Sequence, residues 1–163
     1  MINGSSAAEI FHQSDFAAEL KLAAEEADRT PEQALIYARK CLREIEATPR
    51  ESWLRPASKL ARFIYTRSYE AELDINQEKL EEHVLLFLWS HKSHMDSFVF
   101  LLSLYENRFR PLPLIFAGIN MNFLGFGALA RRVGAIFLRR SFQEDAIYKL
   151  VFRRYIDYLI RQR

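Results

Sequence analysis

Cysteine and glycine are both scarce in this sequence of 163 residues, which has one cysteine and five glycines. The single cysteine, Cys41, excludes an internal disulfide and a cysteine-based zinc site, and this favours a reducing cytoplasm. Four of the glycines fall within residues 118–134, but they do not form a dinucleotide-binding or P-loop fingerprint. No apolar run approaches the roughly 18 residues that span a bilayer, and the first residues do not resemble a secretory signal.

Apolar side chains, by contrast, are abundant: half of the residues are apolar and 13% are aromatic, which is typical of a folded chain. The charge is unevenly divided. Residues 1–82 carry 11 Lys and Arg against 16 Asp and Glu, a net charge of −5, whereas residues 83–163 carry 12 against 5, a net charge of +7. The second half therefore favours anionic partners, among them phosphorylated small molecules, thioesters of CoA or an acidic carrier protein, and anionic lipid. The sequence contains no nucleic-acid recognition motif, so we do not expect that partner.

The first half has the pattern of amphipathic helices. The segment TPEQ at 30–33 supplies an N-cap, a proline at the first helical position and a glutamine at the third, which together predict a capping box. Apolar residues at helical spacing follow until Thr48 and Pro49 end the pattern, and similar stripes begin at Phe16 and at Leu54. We expect residues 1–70 to form a helical accessory region.

The second half alternates between short apolar runs and helical segments. The runs at 84–89, 113–117 and 135–138 lack helical alternation and predict strands buried on both faces, while 97–105, 122–132 and 145–161 predict helices. This order predicts an α/β fold, with the helical layer followed by a mainly parallel sheet flanked by helices. Residues 71–163 would form this part. With three strands placed before the sequence stops, we expect a fragment of a larger domain.

The densest polar cluster, SHKSHMD at 90–96, directly follows the first predicted strand. Ligands of open parallel sheets collect at the carboxyl ends of strands, so this is a favourable position for a site. His91 and Asp96 are five residues apart, and a tight loop would bring the carboxylate onto the imidazole. Asp96 would then fix the tautomer of His91, which would act as a general base towards a hydroxyl.

Three other interpretations of this cluster remain open. Asp96 is also suited to cap a helix that begins at Ser97, a role compatible with orienting the histidine. A metal site would use His91, His94 and Asp96, but no fourth ligand is visible nearby, so we expect no metal. A serine nucleophile at Ser90 or Ser93 would need a catalytic triad within seven consecutive residues, and the Gly-x-Ser-x-Gly elbow is absent.

A second candidate site follows the third predicted strand, where Arg139 and Arg140 stand together. If this strand is parallel to the first, both arginines lie at the same sheet edge as His91. A guanidinium group matches a pair of phosphate oxygens, so the two arginines are natural phosphate anchors. The alternative, a solvated pair of surface charges, is the interpretation that we prefer for Arg131 and Arg132 at a helix end.

Three blocks in this order resemble a known family. SHKSHMDS at 90–97 contains the H-x4-D motif of the glycerolipid acyltransferases, and AGINMNF at 117–123 and GAIFLRRSF at 134–142 complete a resemblance to bacterial glycerol-3-phosphate 1-acyltransferases of the PlsB type. The resemblance covers roughly residues 69–159. It differs at 143–145, where relatives commonly have a basic residue and a glycine and this chain has QED. The family's third and fourth motifs would lie beyond residue 163.

The resemblance implies acyl transfer from acyl-CoA or acyl-carrier protein to the sn-1 hydroxyl of glycerol 3-phosphate in phospholipid biosynthesis. His91 would be the general base, Asp96 would orient it, and Arg139 and Arg140 would bind the substrate phosphate, with no cofactor and no metal. We expect peripheral association with the cytoplasmic face of the membrane, through the basic second half and through Phe123, Leu124 and Phe126, whose alternative role is packing in the core. We expect little or no turnover by the 163 residues alone. Dihydroxyacetone phosphate or a lysophospholipid as acceptor, and an inactive basic anion- or membrane-binding module, are the alternatives.

Overall fold

The structure, a computed structural model, describes residues 7–65, 85–88, 96–122 and 125–162. Short 3-10 helices occupy Ala7–His12 and Ile119–Met121. The longer elements, in chain order, are α1 (Phe16–Glu26), α2 (Pro31–Ile45), α3 (Glu51–Tyr65), α4 (Asp96–Glu106), β1 (Ile115–Gly118), α5 (Phe126–Val133), β2 (Ala135–Leu138) and α6 (Ala146–Arg161).

The described residues divide into two compact units. One contains residues up to 46 together with 116–122 and 136–162, and the other contains 47–65, 85–88, 96–115 and 125–135. In the first unit, α1 and α2 pack against α6 and against each other. In the second unit, α3 packs against α4 and α5. The boundary at residue 70 that we predicted from the sequence lies outside the described residues, so the division into 1–70 and 71–163 stays a prediction.

The first unit is built on the predicted amphipathic stripes. On α1 the buried residues include Phe16 and Leu20, and on α2 they recur at three- and four-residue steps, so that one face of each helix is apolar. Helix α6 completes this core with several fully buried side chains: Ile147, Tyr148, Val151 and Tyr155. Burial of apolar surface of this kind is the main favourable contribution to folding.

Helix α2 begins as its sequence predicts. The Thr30 hydroxyl accepts a hydrogen bond from the Gln33 backbone N–H, and the Gln33 side-chain oxygen accepts one from the Thr30 backbone N–H. The capping box is therefore complete, with Pro31 at the first helical position. The helix ends at Ile45, shortly before Thr48 and Pro49.

Strands β1 and β2 are parallel neighbours in a two-stranded sheet, and α5 lies between them in the sequence. Strand β2 forms over the same residues that the sequence predicts, and β1 begins two residues later than predicted. The α/β class, with helices flanking a parallel sheet, is confirmed. The predicted helices are also present, as α4, α5 and α6, although α5 begins at Phe126, four residues later than predicted.

The strand predicted at 84–89 is wrong over its described part. Residues 85–88 have no regular secondary structure, and Leu86 and Leu88 are 76% and 86% exposed. A strand requires a partner for its backbone N–H and C=O groups. In the part of the chain that the structure describes, the sheet consists of β1 and β2, and 85–88 does not pair with it. An apolar run alone does not supply such a partner.

Helix α3 differs in part from the predicted burial. The apolar stripe predicted to begin at Leu54 includes Leu60, but this side chain is 51% exposed. The nearby Phe63 is 87% exposed. Arg55 and Lys59 are exposed on the same helix. Helix α3 therefore presents apolar and basic side chains to solvent together.

Candidate functional site

The second candidate site lies in the first unit, in the segment that joins β2 to α6. Ile136 and Phe137 of β2 are buried, and the chain leaves the strand at Leu138. The arginines at the next two positions have different environments: Arg139 is partly buried and Arg140 is exposed. The structure therefore separates two residues that the sequence presents as a pair.

The Arg139 guanidinium is held by a two-point ion pair. Its Nε donates to Glu44 Oε1 at 2.6 Å, and its Nη2 donates to Glu44 Oε2 at 2.8 Å. Arginine and carboxylate match in this geometry because two parallel hydrogen bonds form at once. Glu44 lies near the end of α2, so this ion pair joins α2 to the end of β2.

The remaining contacts of the guanidinium come from two further residues. Arg139 Nη1 donates to Tyr37 Oη and to Asp145 Oδ2, both at 2.9 Å. Four of its five N–H groups therefore have protein acceptors. The Tyr37 hydroxyl in turn donates to Asp145 Oδ2 at 2.6 Å, which closes the network.

Asp145 and Tyr148 link this network to the start of α6. Asp145 Oδ1 accepts from the Tyr148 backbone N–H at 2.9 Å and so caps the helix. The Arg139 guanidinium carbon lies 4.5 Å from the centre of the Tyr148 ring, a cation–π distance. The Arg139 backbone N–H donates to the Tyr148 hydroxyl at 3.2 Å. Both the backbone and the side chain of Arg139 are thus fixed by α6.

The network contains one guanidinium and two carboxylates, and all three groups are partly buried. Hydrogen bonding to Glu44 raises the pKa of Arg139, so this residue stays charged. Burial raises the pKa of the Tyr37 and Tyr148 hydroxyls, which therefore stay neutral. Arg139, Glu44 and Asp145 together carry a net charge of −1. A phosphate that approached Arg139 would meet two carboxylates already in place.

Arg140 differs from Arg139 in its exposure and in its ion pairs. Its side chain is exposed, and within the described ranges it makes no ion pair with an acidic residue. The prediction that both arginines bind phosphate stays a prediction. Of the two, Arg140 has the more exposed side chain.

The first candidate site lies largely outside the described residues. His91 and His94 are among the residues that the structure does not describe, as are Ser90 and Ser93. Asp96 is described and stands at the first position of α4, where an acidic residue suits the helix start. The pairing of His91 with Asp96, and their approach to the arginines, stay predictions.

Metal ligands do not cluster in the described part of the chain. Over residues 7–65, 85–88, 96–122 and 125–162, no group of three or more His, Cys, Asp and Glu side chains is placed to hold an ion.

The residues around Arg139 were missed in the sequence. Tyr37, Cys41 and Glu44 are spaced by four and three residues and so share one face of α2. A carboxylate on a helix face that also carries buried Cys41 is a signal for a buried cationic partner. The sequence does not say which arginine that partner is.

A second guanidinium cluster lies elsewhere in the first unit. Arg154 of α6 is buried, and its Nη2 and Nε donate to Asp15 Oδ2 at 2.6 Å and to Glu19 Oε2 at 3.0 Å. Hydrogen bonding from Arg154 lowers the pKa of Asp15. The cluster joins α6 to α1 and to the segment before it.

Comparison with known proteins shows the family of the chain. Residues 73–161 match the family model described as Acyltransferase, which is more than half of the chain. The chain therefore belongs to the acyltransferase family.

Among curated proteins, the chain is similar to several named glycerol-3-phosphate acyltransferase. It is 35% identical over 133 residues to that of Pseudoalteromonas translucida, a match that covers 78% of this chain and 16% of the relative. The relative from Pasteurella multocida is 34% identical over 137 residues, with 80% of this chain and 17% of the relative covered. The chain thus spans about a sixth of the length of these relatives.

Proposed function

We propose that this chain forms part of an enzyme that transfers an acyl group from a thioester of CoA or acyl-carrier protein to the sn-1 hydroxyl of glycerol 3-phosphate. The observation that supports this most strongly is the family match over 73–161 together with relatives that bear the glycerol-3-phosphate acyltransferase name. The acceptor would belong to phospholipid biosynthesis, and the basic second half suits its phosphate.

In the proposed reaction, His91 removes the proton of the acceptor hydroxyl as its oxygen attacks the thioester carbonyl. Asp96 orients the imidazole and stabilises the imidazolium. When the tetrahedral intermediate collapses, the C–S bond breaks and the thiolate takes the proton back from His91. The reaction needs neither metal nor cofactor in this scheme.

Arg140 provides the phosphate contact in this proposal. Its exposed guanidinium is open to a phosphate, whereas the hydrogen bonds of Arg139 are directed to Glu44, Asp145 and Tyr37. A phosphate held by Arg140 restricts the orientations of the acceptor, and positioning of this kind lowers a reaction barrier by about several kcal/mol.

The test has two parts, a measurement of glycerol 3-phosphate binding and a measurement of acyl transfer. Calorimetric titration measures the affinity of the chain for glycerol 3-phosphate. Catalysis is measured after this chain replaces the matched residues of the Pasteurella multocida relative. His91→Ala should lower kcat by about 10² to 10⁴ and leave the affinity unchanged. Full activity without the imidazole would contradict His91 as the general base. Binding of glycerol 3-phosphate by the chain without any turnover by the chimaeric enzyme would favour the alternative of an inactive anion-binding module. Assays with dihydroxyacetone phosphate and lysophospholipid separate the acceptors.

We also propose peripheral association with an anionic membrane surface, through helix α3. Phe63 and Leu60 are exposed beside the exposed cations Arg55 and Lys59, and this combination suits the boundary between acyl chains and anionic headgroups. Within the described residues, none of the helices is long and apolar enough to cross a bilayer. Of the residues that the sequence suggested for docking, Phe126 is half-buried, and Phe123 and Leu124 lie outside the described residues.

Vesicle sedimentation tests this association. The chain should bind phosphatidylglycerol vesicles, and the double variant Leu60→Ser/Phe63→Ser should lose most of that binding. Leu22→Ser, which changes an exposed leucine of α1, is the matched control and should bind normally. Equal loss in both variants, or retention in the double variant, would contradict docking through α3.

A further inference from the structure

We propose that Arg139 is a positioning residue, which fixes the segment after β2 so that Arg140 is held towards the substrate phosphate. This inference rests on the proposed function, because it concerns how the phosphate contact is arranged. It assigns the two neighbouring arginines different tasks: Arg140 touches the phosphate, and Arg139 acts through Arg140.

The first argument is that contacts from two helices, α2 and α6, fix both the side chain and the backbone of Arg139. Its guanidinium is bound by Glu44 from α2 and by Asp145 from the start of α6. Its backbone N–H donates to the Tyr148 hydroxyl, and the ring of that tyrosine, which is fully buried, lies against the guanidinium. A residue fixed at both its backbone and its side chain sets the direction of the residue that follows it.

The second argument is that the segment has little other anchoring. Residues 139–144 have no helix or strand, so no ladder of backbone hydrogen bonds holds Arg140. Phe142 packs against Tyr148, with ring centres 5.2 Å apart, and this holds the middle of the segment to the same tyrosine. The Arg139 network is the contact nearest to Arg140 in sequence. Its loss would give Arg140 a wider range of directions, and binding a phosphate would then cost more conformational entropy.

The two possible tasks of Arg139 predict effects of opposite sign. If Arg139 itself binds phosphate, Glu44 competes for its guanidinium, and Glu44→Gln should strengthen binding of glycerol 3-phosphate. If Arg139 positions Arg140, the same substitution loosens the segment and should weaken binding. Arg139→Lys separates the same two tasks. Lysine keeps the positive charge, so direct phosphate binding would largely survive. It loses the two-point pairing with Glu44 and the planar contact with Tyr148, so positioning of Arg140 would be lost.

The experiment measures two properties of the 163-residue chain and its variants. Calorimetric titration gives the affinity for glycerol 3-phosphate, and hydrogen exchange detected by mass spectrometry gives the protection of the peptide that covers 139–145. Glu19→Gln is the matched control, since it makes the same carboxylate-to-amide change at the other guanidinium cluster of the first unit, that of Arg154.

The proposal expects binding about fivefold weaker in Glu44→Gln and in Arg139→Lys, together with faster exchange over 139–145. Arg140→Ala should weaken binding about tenfold or more, because it removes a charge-assisted contact, and should leave exchange over 139–145 unchanged. Glu19→Gln should change neither property.

The outcomes separate the two proposals. If Arg140→Ala weakens binding but Glu44→Gln leaves it unchanged or strengthens it, the positioning role is wrong and the phosphate contact stands. Unchanged exchange over 139–145 in Glu44→Gln also overturns the positioning role. If Arg140→Ala binds glycerol 3-phosphate as tightly as the wild-type chain does, the phosphate contact proposed for Arg140 is wrong, and the positioning role fails with it.

Discussion

Arg139 and Glu44 lie 95 residues apart in the chain and meet in a two-point ion pair, with N–O distances of 2.6 and 2.8 Å. This contact attaches the N-terminal helix α2 to the segment that follows β2. Helix α2 is therefore part of the structural support of a candidate site in the acyltransferase region. Helical residues without chemistry of their own can still affect such a site.

Glu44→Gln should lower the free energy of unfolding by about 1–3 kcal/mol. The side chains of Arg139 and Glu44 are 25% and 20% exposed, so loss of the carboxylate leaves a largely desolvated guanidinium with one charged partner. Urea unfolding followed by circular dichroism measures the change. Glu25→Gln on α1 is the control, because Glu25 is exposed and makes no ion pair within the described residues, and it should change stability by less than about 0.5 kcal/mol. Equal stability of both variants would contradict a stabilising role for the pair.

The free energy of unfolding should fall at high pH because of the buried thiol of Cys41. Burial raises the pKa of its thiol from 9.0 to about 11. Between these values the unfolded chain loses the proton and the folded chain keeps it, so stability is full below the unfolded pKa and falls as the pH rises towards 11. The loss should approach about 2–3 kcal/mol, at 1.36 kcal/mol for each unit.

Unfolding in urea at pH 8, 9, 10 and 11 checks this expectation. Cys41→Ala should show a shallower fall over the same range, although it lowers stability at every pH because it leaves a cavity in the core. Burial also raises the pKa of Tyr37 and Tyr148, so part of the fall remains in the variant. Identical pH profiles for the wild type and Cys41→Ala would contradict the role of the thiol.

The parts of this fold that the sequence predicts correctly depend on local signals. The start of α2 is visible as TPEQ because the capping box joins residues three apart. Strand β2 is visible because its apolar run is short and ends at charged residues. Both signals lie within a few residues of the element that they define.

The parts that were missed depend on contacts between distant residues. Leu86 and Leu88 have the composition of a buried strand, but burial requires a neighbouring strand, and residues 85–88 have none within the described chain. The Arg139–Glu44 pair spans 95 residues, and charge pattern alone does not distinguish a partnered arginine from the exposed one beside it. Tertiary packing determines which arginine forms an ion pair within the protein and which stays exposed.

Thr30→Ala should destabilise the chain by about 1 kcal/mol. The Thr30 hydroxyl accepts the Gln33 N–H at 3.3 Å, and its loss leaves one helix-terminal donor without its side-chain acceptor. Thermal unfolding followed by circular dichroism measures the change. Thr48→Ala is the matched control: Thr48 is exposed, and its backbone N–H donates to the Arg131 carbonyl, a bond that the substitution keeps. A control variant as unstable as Thr30→Ala would show that the cap is not the cause.

Gly134→Ala should destabilise the chain by about 1–3 kcal/mol, for two separable reasons. Gly134 ends α5 with φ at +110°, a conformation that side chains disfavour, and an added Cβ would lie 3.2 Å from Leu114 Cδ2. Gly125 also has a positive φ, +79°, but an added Cβ there meets nothing within 4 Å. Gly125→Ala therefore measures the backbone cost without a clash. Urea unfolding should show the larger loss for Gly134→Ala, since close packing beside β2 adds to the backbone cost. Equal losses would mean that Leu114 moves aside freely and that conformation alone requires the glycine.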